Sequence, residues 1–77
     1  MQIFAQIQRE IEDSRINHGS FTGSHEGYAV LLEEVDELWS EIKKRERNFS
    51  AMEKECMQIA AMAVKFIEDV CHKENRR

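Results

Sequence analysis

The chain predicts an all-α protein: a three-helix subunit that forms a helical bundle by homo-oligomerisation, as a homodimer or homotetramer. Three observations carry this expectation. The 77 residues include no Pro and only three Gly, and 34% are charged, a composition suited to helices. Apolar residues recur at three- and four-residue steps in three successive segments, the period of one helix face. Finally, this length lies near the limit below which a single core is marginal. Long apolar stripes on so few helices must therefore be covered between chains.

Residues 2–17 read as the first helix, with Ile3, Phe4, Ile7 and Ile11 on one face and Gln6, Arg9, Glu10 and Asp13 on the other. His18-Gly19 ends it, since Gly takes the left-handed conformation just past a helix without strain. The following loop, residues 20–24, is rich in small polar residues, and Phe21 within it reads as an anchor on the core. Ser24 is the expected N-cap of the second helix, with Glu26 in its first turn where acid is favoured. That helix is expected to run to about Arg47, close to 35 Å. Tyr28, Leu31, Val35, Leu38 and Ile42 form its apolar repeat, and Trp39 on the stripe's edge reads as a core or subunit-interface residue. Lys43, Lys44, Arg45 and Arg47 close the helix, where cations complement its dipole.

Asn48-Phe49-Ser50 is the expected turn into the third helix. Ser50 and Glu53 have the spacing of a capping box. Met52, Cys56, Ile59, Ala63, Phe66 and Val70 then share a face. Glu55 borders that stripe instead of opposing it. Periodicity leaves two readings open, a first-turn acid favoured by the dipole or a ligand to a cation.

Composition excludes several functions. The formal charge of −4 offers no basic field for a nucleic-acid backbone, and Asn75-Arg76-Arg77 reads as a solvated tail. No apolar run approaches the roughly 20 residues of a membrane span. Met1-Gln2-Ile3 opens no signal peptide. Cys56 and Cys71 lie on one helix about 22 Å apart along its axis, too far to bridge within the chain. Two free thiols fit a reducing cytoplasm. No Cys-x-x-Cys, Gly-rich phosphate loop or nucleophile elbow occurs. His18, His25 and His72 lack the Glu three residues earlier that a ferritin-like di-iron site needs.

The stretch from Leu31 to Trp39 carries the chemistry. With about 100° per residue, Glu34, Glu37 and Glu41 line one edge of the apolar stripe. Like charges at these spacings repel, and a divalent cation would compensate them. His25-Glu26-Gly27-Tyr28, then Glu33-Glu34-x-x-Glu37, then Glu55 and Ile59-Ala60-Ala61-Met62-Ala63 together resemble a small MazG-like protein. The resemblance runs from Ile3 to Val70 and makes residues 1–77 a single MazG-like domain. That family belongs to the all-α nucleoside triphosphate pyrophosphohydrolases, whose signature is EExxE on one helix and ExxD on the next.

The resemblance implies Mg²⁺, with Mn²⁺ as substitute, held by Glu34, Glu37 and Glu55. Gln58 stands where the family pattern has Asp and offers an uncharged amide oxygen as a metal ligand. Glu33 and Glu37 become the candidates to orient the attacking water. Lys44 and Lys65, near the acidic edges of their helices, are the candidate phosphate contacts. The implied substrate is a nucleoside triphosphate, cleaved to a monophosphate and pyrophosphate. Asp69 lies about 21 Å along the third helix from Glu55, so only a neighbouring subunit could bring it to the same ion. The alternative reading is a non-catalytic helical oligomer, or a nucleotide- or protein-binding module, in which the acidic edge is solvated surface.

Overall fold

A computed structural model describes residues 2–74. The tail Asn75-Arg76-Arg77 lies outside the described residues. Three helices account for most of the chain: α1 (Gln2–His18), α2 (Ser24–Ile42) and α3 (Phe49–Phe66). α3 continues into a π-helical turn, Ile67–Cys71, and a last short turn, His72–Glu74. No strand occurs among the described residues.

α3 is the central element and packs on both α1 and α2. The chain measures 49 × 28 × 20 Å. Its smallest dimension is about two helix diameters, so each helix keeps one side uncovered. The buried core is correspondingly small: Ile11, Phe21, Ala61, Met62 and Val70, flanked by half-buried Ile7, Val30, Leu31 and Phe66. Phe21 is 6% exposed and anchors the α1–α2 loop on this core, as expected.

α1 ends as its sequence dictates. Gly19 takes φ +74°, and its N–H donates to the Arg15 carbonyl at 2.9 Å. Only part of the expected α1 stripe is used, however: Ile11 is buried and Ile7 half-buried, whereas Phe4 is 71% exposed. Glu10, assigned to the outer face by periodicity, is half-buried. It accepts a hydrogen bond from Gln58 Nε2 on α3 at 2.9 Å. α1 therefore meets α3 through a mixed row. Gln58 binds Glu10, Lys65 Nζ donates to Ser14 Oγ at 2.8 Å, and Arg15 pairs with Asp69 and Glu68, each at 2.6 Å.

Three expected boundaries are corrected. α2 stops at Ile42, five residues before Arg47. From Lys43 to Arg47 four of five side chains are cationic and none is apolar, so a longer helix would crowd like charges with nothing to bury. The Lys44 N–H instead donates to the Glu41 carbonyl at 3.3 Å, the tightened geometry of a helix end. α3 is capped by Asn48, not by Ser50: Asn48 Oδ1 accepts from the Ala51 N–H at 3.1 Å. At the start of α2, the cap position falls on Gly23 and its residue makes no side-chain cap bond, with Ser24 already helical. Glu26 takes over by accepting from the Thr22 N–H at 2.7 Å and Oγ1 at 3.2 Å.

Gly27 fixes how closely α2 approaches α3. A Cβ at this position would lie 2.5 Å from Phe66 Cδ2 and 3.3 Å from Phe21 Cδ2. The contact sets α2 antiparallel to α3, with Gly27 beside Phe66 at one end and the Glu34–Glu37 turn beside Glu55 at the other. Gly27→Ala removes a helix-weakening glycine but drives a methyl into the Phe66 ring. Overpacking of this kind costs about 1–3 kcal/mol, against the roughly 1 kcal/mol gained in helix propensity. The expected outcome is a lower melting temperature by circular dichroism, with the cleft between α1 and α2 widened.

Candidate metal centre

The acidic turn of α2 lies against the first half of α3. Glu34, Glu37 and Glu55 each offer a carboxylate oxygen within 4.8 Å of the others. Glu34 is the most constrained of them. Its Oε2 is fully buried and has no hydrogen-bond partner. Burial first, then the charges of Glu37, Glu55, Glu33 and Glu10, push its pKa up from 4.5 to about 7. The Glu55 carboxyl is also raised, first by burial and then by a shared hydrogen bond with Glu37 and the charges of Glu37 and Glu41, with Lys54 opposing. Protons thus do in part what a cation would do completely.

These carboxylates fit a hard divalent ion. Mg²⁺ holds oxygens at about 2.1 Å, which sets ligand atoms no more than about 4.2 Å apart. The spacing here, within 4.8 Å, is at most a side-chain adjustment from that limit. An orphaned buried carboxylate oxygen is costly when left unpaired, and a cation at this point would satisfy it.

A cleft of about 570 Å³ opens beside the cluster, lined by Glu10, Ser14 and Asn17 of α1, Glu26, Val30, Glu33 and Glu34 of α2, and Gln58, Met62 and Lys65 of α3, with the 18–21 loop at one end. The volume is typical of a small-molecule site. Lys65, the one Lys or Arg in the lining, sits about 15 Å along α3 from Glu55. It is 1% exposed, and its ammonium lies 4.4 Å over the Phe21 ring. Burial, chiefly, lowers its pKa; the charge of Asp69 opposes that shift and Arg15 adds to it.

The sequence-predicted residues divide accordingly. Glu34, Glu37 and Glu55 come together as a cluster, and Glu33, Gln58 and Lys65 line the adjoining cleft. The Gln58 amide is held by Glu10. Lys44 is drawn away: its Nζ pairs with Glu41 at 2.9 Å, and it is not among the cleft residues. Asp69 is taken up inside its own chain, where Oδ1 accepts from Arg15 and Oδ2 from the Phe21 N–H at 2.9 Å. Trp39 is 56% exposed, outside the chain's own core, with the Lys43 ammonium 5.8 Å from its ring.

Sequence reasoning missed the α1 wall of the cleft. The signal was present, because Glu10, Ser14 and Asn17 continue the row of Ile3 and Ile7 at three- and four-residue steps. Compared with known proteins, the chain matches no family model, no curated protein and no solved structure.

The raised Glu34 and Glu55 carboxyls make metal-free stability pH-dependent. Between the ordinary carboxylate range and about pH 7, the folded chain keeps protons that the unfolded chain has released, so stability falls as pH rises. The expected loss is on the order of 2 kcal/mol across that interval, tempered by partial hydration. Urea unfolding in the presence of EDTA checks this. Glu34→Gln should flatten the profile and leave the variant more stable than the parent chain at neutral and higher pH.

Proposed function

We propose that the chain is a Mg²⁺-dependent nucleotide pyrophosphohydrolase of MazG-like type, acting as a homodimer or homotetramer. The observation that carries this reading is the buried, unpartnered Glu34 Oε2, set beside Glu37 and Glu55 at the acidic end of a cleft that has a lysine further along. The motif resemblance of Glu33-Glu34-x-x-Glu37 and Glu55 supports the same assignment.

Glu34, Glu37 and Glu55 would hold the metal, with the Gln58 amide oxygen as a neutral fourth donor while its Nε2 donates to Glu10. Bound there, Mg²⁺ supplies charge neutralisation and Lewis-acid polarisation of phosphate oxygens. Glu33, exposed at the cleft edge, orients a water toward the α-phosphorus and accepts its proton. A new phosphorus–oxygen bond forms as the bond to the α–β bridging oxygen breaks, giving a nucleoside monophosphate and pyrophosphate. Lys65 would steady a phosphate through its remaining N–H donors. Lys44 has its acid partner Glu41 and takes no part within its own subunit. No helix among the described residues is long and apolar enough to cross a membrane. The exposed thiols Cys56 and Cys71 suit the reducing cytoplasm proposed as its location.

One observation favours the rival reading, a helical oligomer without catalysis: the Gln58 Nε2 is engaged by Glu10, and no fourth anionic ligand stands where the family pattern places Asp. Metal binding separates the two. Glu34→Gln and Glu37→Gln should each weaken Mg²⁺ affinity about tenfold or more, measured by calorimetry, and pyrophosphate release from a panel of nucleoside triphosphates should fall in step. Glu12→Gln, exposed on α1, is the control. Glu10 is unsuitable, because its charge acts on Glu34. Equal Mg²⁺ affinity in all four proteins would leave the scaffold reading.

Gln58→Asp sharpens the distinction. In the enzyme the added anion strengthens the metal site, so Mg²⁺ should raise this variant's melting temperature more than the parent's. In a scaffold the new carboxylate faces Glu10 and Glu34, and the variant should melt lower with or without Mg²⁺.

A further inference from the structure

The side of the α2–α3 pair turned away from the cleft carries two adjoining apolar rows. On α2, Tyr28, Leu32, Val35 and Trp39 recur at four, three and four residues, all exposed, with Trp39 at 56% and Tyr28 at 63%. This row lies about 180° around α2 from the cleft residues Glu26, Val30 and Glu33. On α3 and the start of the turn that follows it, Cys56, Ala60, Ala63, Val64 and Ile67 lie about 180° from Gln58, Met62 and Lys65; Cys56, Val64 and Ile67 are exposed and the two alanines half-buried. One row is large, the other mostly small, and neither contains a charge.

We propose that two copies of the chain pair through this face, about a twofold axis parallel to the helices. The Tyr28–Leu32–Val35–Trp39 row of each copy then sits on the small-residue face of α3 of the other. An axis perpendicular to the helices would set large residues on large and small on small, which leaves voids; facing large with small fills space evenly. The register follows from the contacts within one chain. Gly27 beside Phe66 and Glu37 near Glu55 put Leu32 level with Ala60 and Tyr28 level with Val64, and an axis parallel to the helices preserves those levels. The same register brings Lys43, whose ammonium lies over Trp39, within about two turns of Glu53 of the second copy, an opposite-charge pair at the rim. The pairing deepens the oligomeric part of the proposed function and is independent of metal binding and hydrolysis.

Single-cysteine chains test it, built with Cys56→Ser and Cys71→Ser and read without nucleotide or metal. Light scattering at micromolar concentration should give a dimer mass or a multiple of it; a helical monomer overturns the proposal. Chains carrying Leu32→Cys, mixed with chains carrying Ala60→Cys and oxidised, should give a mixed disulfide at least about tenfold faster than either chain cross-links with itself. Preferential self-linking of the Leu32→Cys chains is the signature of a perpendicular axis and overturns the arrangement. Ala60→Glu, which places a charge on the small face without touching the cleft, should yield a monomer with its helical signal retained. A dimer that survives Ala60→Glu moves the interface elsewhere. Absence of pyrophosphate release changes none of these outcomes, so the two readings fail separately.

Discussion

The Asp69 carboxylate is the contact on which the arrangement of this chain depends. It is 9% exposed, and both its oxygens are engaged, one by Arg15 of α1 and the other by the Phe21 N–H in the α1–α2 loop. A buried carboxylate is tolerated only when paired and hydrogen-bonded, and here the pairing joins the turn after α3 to α1 and to the α1–α2 loop, 54 and 48 residues away in sequence. The bond to the Phe21 amide holds the loop on the end of α3. Phe21 then lies under the Lys65 ammonium and against Gly27. The position of α2, the closed end of the cleft and the setting of its lysine all follow from that loop. With so small a hydrophobic core, directional polar contacts settle where α1 sits.

Glu34, Glu37 and Glu55 gather like charges in a partly desolvated place, which opposes folding. The fold accepts this because α2 and α3 are fixed elsewhere, by Gly27 against Phe66 and by Leu31 near the core. Strain of this kind concentrates where chemistry is done. It also explains why Lys65 does not neutralise the acids. Ser14 and Phe21 hold it away from them.

Helix number and order were legible in the sequence, because three-and-four periodicity and Gly19 are local signals. The grouping of Glu34, Glu37 and Glu55 was implied by the motif resemblance, whereas periodicity alone left Glu55 open between a first-turn acid and a cation ligand. What local pattern did not give was the choice among competing signals. Ser50 with Glu53 has the better capping-box spacing, yet Asn48 captured the cap with a side chain that reaches the Ala51 N–H. Tyr28 and Val35 belong to the same heptad count as Leu31 and Leu38, but Gly27 sets which side of α2 turns inward, and the Tyr28–Val35 row is left outside. Glu10 read as surface because polarity was taken for exposure, whereas its partner Gln58 lies 48 residues away in sequence and leaves no local trace.

The π-helical turn at Ile67–Cys71 has a consequence for the history of the chain. A π turn closes its hydrogen bonds over five residues in place of four, so it holds one residue more than the α turn it interrupts. Asp69 and Val70 both face inward from this turn. A relative with an unbroken α-helix here would be one residue shorter, and the remaining positions would swing by about 100°. Its Arg15 and Phe21 counterparts would then need a different acceptor. Insertion or loss of a single codon in this turn is therefore a change to the tertiary anchor.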